Sequence, residues 1–400
     1  MRLKKPDGTW IERAKNVMAQ THTGTNSKRH TQYPANYPSH TNGMGSGPYL
    51  FDFLGNKYLD FVSGLGSVSL GYSNGHVIEA VQRQALKGCS HSLPSTLEVE
   101  VAEMVSAIIP SCQHLRFLKT GNEASLAAVR IARSFTGRSL IYNDGYHGHG
   151  DIFTSMTPPA LGIGDSFNIK QLPEDLKQVD LSAAAIIVEA VKTDMTEVWQ
   201  KRIQSIRDFC KEHGILFIID EIVTGFRVPK WTISNLWSLD PDIILLGKGI
   251  ANGYPLSIVG GRKEIMDAQE YFVSSTFSGD TIALAACKAT IEQIQMRSLD
   301  DLMFYGKRLQ DKLNALHPDI KFEGYGTRAM FNITNPTSAL FAQEMCNAGI
   351  MFGKAHFFHF AHLEANIEEF VMNSANAVIR NINDGRVKIE GDVPRETFKR

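Results

Sequence analysis

The chain has little cysteine and no local cysteine pattern. Its five cysteines, Cys89, Cys112, Cys210, Cys287 and Cys346, are odd in number and widely scattered. None sits at C-x-x-C spacing, which disfavours a zinc site and a disulfide framework and leaves reduced thiols as the expectation. An excess of charge of one sign is also lacking: 41 Lys and Arg face 42 Asp and Glu, a formal net charge of −1. A general nucleic-acid binder needs a clear basic excess to neutralise phosphates, so that class is disfavoured. No apolar run approaches the roughly 20 residues that span a bilayer. The basic start Met1-Arg2-Leu3-Lys4-Lys5-Pro6 is not followed by the apolar core of a signal peptide. Internal repeats, low-complexity tracts and heptad runs are missing too. A soluble cytoplasmic protein is the expectation.

What is present suits a globular chain: 43% hydrophobic and 21% charged residues over 400 positions. At roughly 150 residues per domain this length predicts two to three domains, with most of the unfolded surface buried on folding. Residues 20–48 are polar and rich in Thr, Asn, Ser, Gly, Pro and His, and read as irregular. Two aromatic-rich alternating runs, Tyr49-Leu50-Phe51-Asp52-Phe53 and Lys57-Tyr58-Leu59-Asp60-Phe61, flank Leu54-Gly55-Asn56 and predict a hairpin. From residue 76 the period becomes helical, with helices ending near Cys89 and Ile109. Beyond them, short apolar runs at Leu115–Leu118, Leu140–Tyr142, Ala184–Val188, Ile215–Ile219 and Ile243–Leu246 alternate with helical segments such as Glu123–Phe135 and Ile203–Glu212. Continuous apolar strands alternating with helices predict an α/β fold with a largely parallel sheet covered on both faces. After about residue 295 a helix, a mixed β region around Ile320–Ile333 and further helices predict a smaller α+β domain. The division expected is an N-terminal segment over 1–48, a large domain over 49–295 and a small domain over 296–400.

Ligands of open parallel α/β sheets bind at the carboxyl ends of the strands, so the residues after each apolar run matter most. Ile215–Ile219 is followed by Asp220-Glu221, then Ile222-Val223-Thr224-Gly225-Phe226-Arg227. An acid there serves either as a turn or helix cap or as the partner of a bound cation. Ile243–Leu246 runs into Gly247-Lys248-Gly249. Lys248 is either a snorkelling surface lysine or a desolvated amine, nucleophilic enough to form a Schiff base. Leu115–Leu118 leads into Lys119-Thr120-Gly121-Asn122-Glu123-Ala124, a turn that opens a helix. Its N–H groups suit a phosphate, while Thr120 or Asn122 equally suits a plain N-cap. Leu140–Tyr142 precedes Asn143-Asp144-Gly145-Tyr146-His147-Gly148-His149-Gly150. His147 and His149 alternate with no third ligand near them, so no metal is expected, and Tyr146 is the candidate to lie over a planar ring. An amine, an acid for a ring nitrogen, a helix start for a phosphate and an aromatic to stack together specify pyridoxal phosphate.

These blocks, with Ser275-Thr276-Phe277-Ser278-Gly279 and Gly249-Ile250-Ala251-Asn252-Gly253-Tyr254-Pro255, give the chain a resemblance to a known family. From about Gly24 to its last residues it resembles the class III, fold type I, pyridoxal-phosphate aminotransferases, and within them the glutamate semialdehyde aminomutase branch. The resemblance implies a seven-stranded, mostly parallel sheet in the large domain and a homodimer with shared active sites. It implies that Lys248 carries the cofactor and shuttles the proton, and that Asp220 holds the pyridinium nitrogen protonated. Gly121 and Asn122 would bind the phosphate, Tyr146 and Ile222 would cover the two ring faces, and His147 and Glu189 would lie at the cofactor. Thr276 would reach the phosphate of the neighbouring subunit. Arg29 lies near the family's substrate-carboxylate arginine.

Departures accompany the match. Ala190-Val191-Lys192-Thr193-Asp194 replaces the usual Pro and Gly-Asn pattern after Glu189, and Ala251-Asn252-Gly253 replaces a glycine-rich stretch. The aminomutase tryptophan is replaced near Leu65, and Asp151–Phe167 is shorter than the aminomutase gating loop. The implied activity is therefore a ping-pong transaminase acting between an amine or amino acid donor and a carbonyl acceptor. An aminomutase is the alternative, and a non-catalytic protein that kept the fold is a third.

Overall fold

The structure is a computed structural model and describes residues 9–18, 33–156, 162–164, 167–268 and 271–394. They divide into two compact units. One holds the described residues of 67–69 and 75–300; the other holds those of 1–66, 70–74 and 301–399.

The larger unit is built on seven strands: β4 (His114–Leu118), β5 (Ile141–Asp144), β6 (Ile169–Gln171), β7 (Ala185–Glu189), β8 (Leu216–Asp220), β9 (Ile243–Leu246) and β10 (Ser257–Gly261). Their order is β4-β10-β9-β8-β7-β5-β6. The pairs β9-β8, β8-β7, β7-β5 and β5-β6 are parallel, and β10 runs antiparallel to both β9 and β4. Every residue of β7, β8 and β9 is buried, which is why these strands read as unbroken apolar runs. The helix Gly121–Thr136 packs Ala124, Ala127, Ala128, Ile131 and Ala132 into the core with Ile187, Ile218, Leu245 and Val259 of the sheet. Small alanines on that face suit a close helix-to-sheet approach. All five cysteines are free thiols.

The smaller unit contains two sheets. One has the order β1-β2-β3-β13, from Thr41–Ser46, Tyr49–Asp52, Lys57–Asp60 and Ile350–Met351. The other is antiparallel, β11-β12-β14, from Phe322–Tyr325, Arg328–Phe331 and Ala355–Phe357. The β2–β3 hairpin forms where expected, but it does not open the large domain. Strand β3 pairs in parallel with β13, Leu59 opposite Ile350 and Asp60 opposite Met351, and this ladder ties the hairpin to the C-terminal part. The large unit accordingly starts at residue 75, with Ser67–Ser69 as an outlying contribution. Leu65 is exposed on a turn in which Ser63, Gly64, Leu65 and Gly66 all have positive φ. Within this turn Asp60 accepts from the N–H groups of Val62 (2.7 Å) and Ser63 (3.1 Å), and from the Tyr72 hydroxyl (2.5 Å).

Candidate active site

Strand pairing assembles the site at the carboxyl ends of β5, β7, β8 and β9. Glu189 lies opposite Asp220, and Asp220 opposite Leu245, three positions before Lys248. Asp220 is buried, and its carboxylate takes two donors. One oxygen accepts from the Ile222 N–H at 2.9 Å, and the other is 2.7 Å from Nδ1 of buried His147. Nδ1 therefore carries the proton and donates to Asp220, which fixes the ring and the carboxylate together. His147 Nε2 is buried with no hydrogen-bond partner among the described residues. Each carboxylate oxygen accepts more than one bond, so Asp220 keeps capacity for a cationic N–H.

The two adjacent acids divide the roles left open by the sequence. Glu221 turns the other way and is fully buried. It accepts from the N–H groups of Ile233 (3.0 Å) and Ser234 (2.7 Å), from the Ser234 hydroxyl (2.7 Å), and from the Thr224 hydroxyl. Glu221 thus serves structure: it accepts from the first two N–H groups of the short helix Ile233–Trp237, whose N-cap is Thr232. Burial pushes its carboxyl above the ordinary range, against the four hydrogen bonds.

At the end of β4, Thr120 is the N-cap of the helix Gly121–Thr136, in a capping box with Glu123. Glu123 in turn accepts from the N–H groups of Lys119 (2.9 Å) and Thr120 (2.8 Å). Gly121 and Asn122 come first in the helix, where N–H groups have no intrahelical partner. Gly121 lies so close to Ile222 that a Cβ there would fall 2.7 Å from Ile222 Cδ1, and Ile222 also borders Gly247. Ile222 therefore packs between the helix start and the residue before Lys248. The Asn122 side chain ties down a loop, its Oδ1 accepting from the Gly150 N–H at 2.6 Å. Gly148, at φ +107°, leaves no room for a Cβ against that same Oδ1. The loop carrying Tyr146 and His147 is thereby pinned to the helix start. Tyr146 is half-exposed, and its N–H donates to Glu189 at 3.3 Å.

Lys248 is half-buried, at φ +46°, in the left-handed region where lysine is uncommon. Asp220, Ile222, Gly121, Asn122, Tyr146, His147, Glu189 and Lys248 thus belong to one cluster of touching or strand-adjacent elements. Thr276 does not: it is exposed in the turn 276–279, just before Asp280. Arg29 lies outside the described residues, as does part of Asp151–Phe167.

Sequence reasoning missed several supporting groups. Lys119 Nζ bonds Asp280 at 2.7 Å and the Pro255 carbonyl at 3.2 Å, and Asp280 caps the helix Thr281–Gln295. Burial raises the Asp280 carboxyl, but hydrogen bonds from Cys89 and Lys119 and the Lys119 charge outweigh it and hold the group below the ordinary range. In the segment that departs from the family pattern, Lys192 pairs with Asp144 at the end of β5 and lies 4.9 Å from the Trp199 ring. The sequence signal for both pairs was a lysine within three residues of a strand end.

An amine, a buried carboxylate held by a histidine and a helix start open to an anion fit the donor set that pyridoxal phosphate needs. The fold and this site define an α/β enzyme of the aminotransferase kind. The family model for aminotransferase class-III matches residues 40–181 and 166–363, and the chain belongs to that family. A glutamate-1-semialdehyde 2,1-aminomutase of Chloroflexus aurantiacus is 34% identical over 274 residues, and this match spans 62% of each chain. Glutamate-1-semialdehyde 2,1-aminomutase 2 of Bacillus pumilus is 32% identical over 373 residues, 81% of this chain and 87% of that one. Among solved structures, the PLP internal aldimine form of the Sphingopyxis sp. MTA144 FumI protein superposes with a TM-score of 0.86. That pair is 23% identical, with 96% of this chain and 97% of the other covered, and shows the shared fold.

Proposed function

We propose that this chain is a pyridoxal-phosphate-dependent aminotransferase, moving an amino group from an amine or amino acid donor to a carbonyl acceptor in two half-reactions. The observation that carries the reading is the placement of Lys248 and Asp220 just after and at neighbouring strand ends, with Ile222 packed between Gly247 and the helix start at Gly121. Bound there, the cofactor supplies an electron sink for negative charge on the substrate carbon that bears nitrogen. Asp220, oriented by His147, holds a proton on the ring nitrogen and so maintains that sink. The N–H groups of Gly121 and Asn122 bind the phosphate. Ile222 and Tyr146 would cover the cofactor's ring, with Glu189, bonded to the Tyr146 N–H, beside them. Lys248 would hold the cofactor through Nζ, and the same amine, when free, would serve as the base that moves the proton at the substrate carbon. Arg29 is the candidate for a substrate carboxylate.

The site is proposed to be shared in a homodimer, with Thr276 of each subunit serving the other's phosphate. Exposed apolar side chains around that turn support this. Gly279 lies against Glu98, and Phe277 and Val99, which flank this contact in sequence, are 57% and 59% exposed. A second reading, an aminomutase that moves nitrogen within one substrate, is favoured by the names of the aminomutase relatives.

The test is the visible absorbance of the purified, cofactor-loaded protein during addition of amine donors, then of a keto acid. Loss of the lysine-bound band with a donor and its return with a keto acid are expected. Conversion of glutamate-1-semialdehyde alone, with no acceptor, would favour the aminomutase. Lys248→Ala is expected to abolish turnover and covalent retention of cofactor; full transaminase activity in that variant overturns the assignment.

A further inference from the structure

The turn that carries Lys248 is held by a segment distant in sequence. Gly247 is extended, Lys248–Ala251 forms one 3-10 turn, and Asn252 closes it, again left-handed at φ +43°. Two non-glycine left-handed residues, Lys248 and Asn252, thus bracket three residues of chain. Asn accepts this conformation locally, but Lys does not favour it, so something outside the turn must hold Lys248 there.

Ser69 reaches both parts of the turn. Its hydroxyl donates to the Gly249 carbonyl at 2.7 Å, and its N–H donates to Asn252 Oδ1 at 3.0 Å. Ser69 is 2% exposed and Asn252 8%, so water does not compete for these bonds. The segment is itself anchored. Arg227, one of the largest fully buried side chains, donates from Nη2 to the Val68 carbonyl at 2.8 Å. Ser67–Ser69 belongs to the unit of the sheet, while the residues on either side of it belong to the other unit.

We propose that Ser69 and Asn252 are positioning residues for Lys248: their two hydrogen bonds hold the strained turn in the one backbone state that aims Nζ. The proposal rests on the reading of Lys248 as the cofactor's lysine. Without the staple the Lys248 backbone relaxes toward the right-handed region, and Nζ leaves its line to the reacting carbon. Neither residue touches the reacting atoms; both act through the lysine.

Three variants separate this from a merely structural role. Ser69→Ala removes the hydroxyl. Asn252→Gly keeps the left-handed freedom and removes the acceptor. Asn252→Asp keeps the oxygen that the Ser69 N–H uses. Each is loaded with pyridoxal phosphate. Three quantities are read: the visible circular dichroism of the bound cofactor, which reports its orientation, the melting temperature, and the rate of a single half-reaction with a saturating amine donor. Ser69→Ala and Asn252→Gly are expected to weaken the dichroic band and slow the half-reaction about 10- to 100-fold, the cost of a misplaced reacting group. The donor concentration at half-saturation should stay within about threefold, because positioning and not binding is affected. Asn252→Asp is expected to recover most of the band and rate. A dichroic band and rate unchanged in both Ser69→Ala and Asn252→Gly overturn the proposal, as does an Asp variant no better than the Gly variant. Should Ser69→Ala fail to fold, the Gly and Asp pair at position 252 decides. Borohydride reduction and peptide mapping of the unsubstituted protein test the underlying reading separately. An adduct on Lys248 upholds it whatever the variants show, and an adduct elsewhere overturns both.

Discussion

His356 is an imidazole enclosed by phenylalanines. Its ring centroid lies 4.8 Å from Phe352, 4.9 Å from Phe322 and 5.7 Å from Phe331, and the residue is 2% exposed. Burial pulls its pKa from 6.5 down to about 3, and a hydrogen bond to the Gly353 backbone opposes this only in part. The folded chain therefore binds fewer protons at this ring than the unfolded chain between those two values. Its stability contribution is complete above pH 6.5 and is lost as pH falls toward 3. Between pH 7 and pH 4 that loss is on the order of 3 kcal/mol. In urea unfolding, His356→Phe is expected to be less stable at pH 7, by about 1–3 kcal/mol for the larger ring. It should lose less on acidification, so the gap between the two proteins closes toward pH 4. Parallel curves would mean that the imidazole titrates as if in water. Nothing in His356-Phe357-Phe358-His359 announced this role, because burial of a histidine depends on which strand faces it.

At the scale of elements, the short helix Ile233–Trp237 depends on one carboxylate. It follows a turn in which Phe226, Lys230 and Trp231 all have positive φ, and a five-residue helix has little stability of its own. Glu221 holds both by accepting from Ile233, Ser234 and Thr224. In Glu221→Gln an amide N–H₂ replaces one acceptor and faces a backbone donor, a loss of about 1–3 kcal/mol. The Glu221 carboxyl has its pKa raised by burial, so the wild-type contribution is complete below pH 4.5 and declines as pH rises through the folded value. Melting curves should show the variant destabilised most in acid, with the gap narrowing as pH rises. A constant gap would refute the raised pKa. Glu221 also shows where sequence reading succeeds and where it stops. Buried parallel strands announce themselves as apolar runs, so β7, β8 and β9 and the acids and lysine at their ends were legible. Strand β10 is Ser257–Gly261, and its closing pair of glycines reads as a turn. Strand β1 is Thr41–Ser46, polar and mostly exposed, so it has no apolar alternation to read. The residues alone left the roles of the two adjacent acids open, and only the family resemblance singled out Asp220, since their partners lie 73 positions before Asp220 and 13 positions after Glu221.

For the molecule as a whole, the proposed dimer makes cofactor retention a property of two chains. The turn 276–279 is anchored at its base. Two of the anchors are the Asp280 cap, bonded to Lys119, and the Thr281 N–H, which donates to the Cys89 carbonyl at 3.0 Å. That arrangement fixes the base of the turn to Lys119, two residues before the helix Gly121–Thr136, and leaves Thr276 and Phe277 exposed. An exposed phenylalanine two residues from the Gly279–Glu98 contact, with exposed Val99 next to Glu98, is an apolar surface of the kind that a second copy covers. Phe277→Glu places a charge there while removing little that the single chain buries. Its expected effect is a dimer weakened at least about 30-fold, the scale of a buried aromatic anchor, read by sedimentation velocity at micromolar concentration. The same variant should lose pyridoxal phosphate on dialysis faster than the parent, because the partner's threonine no longer closes the phosphate site. Phe304→Glu, at a comparably exposed phenylalanine (68%) of the other unit, should change neither the mass nor the retention. If Phe277→Glu stays dimeric, this face is not the interface. If it becomes monomeric yet holds cofactor as well as the parent, the two sites are not shared, and Thr276 has no part in binding the phosphate.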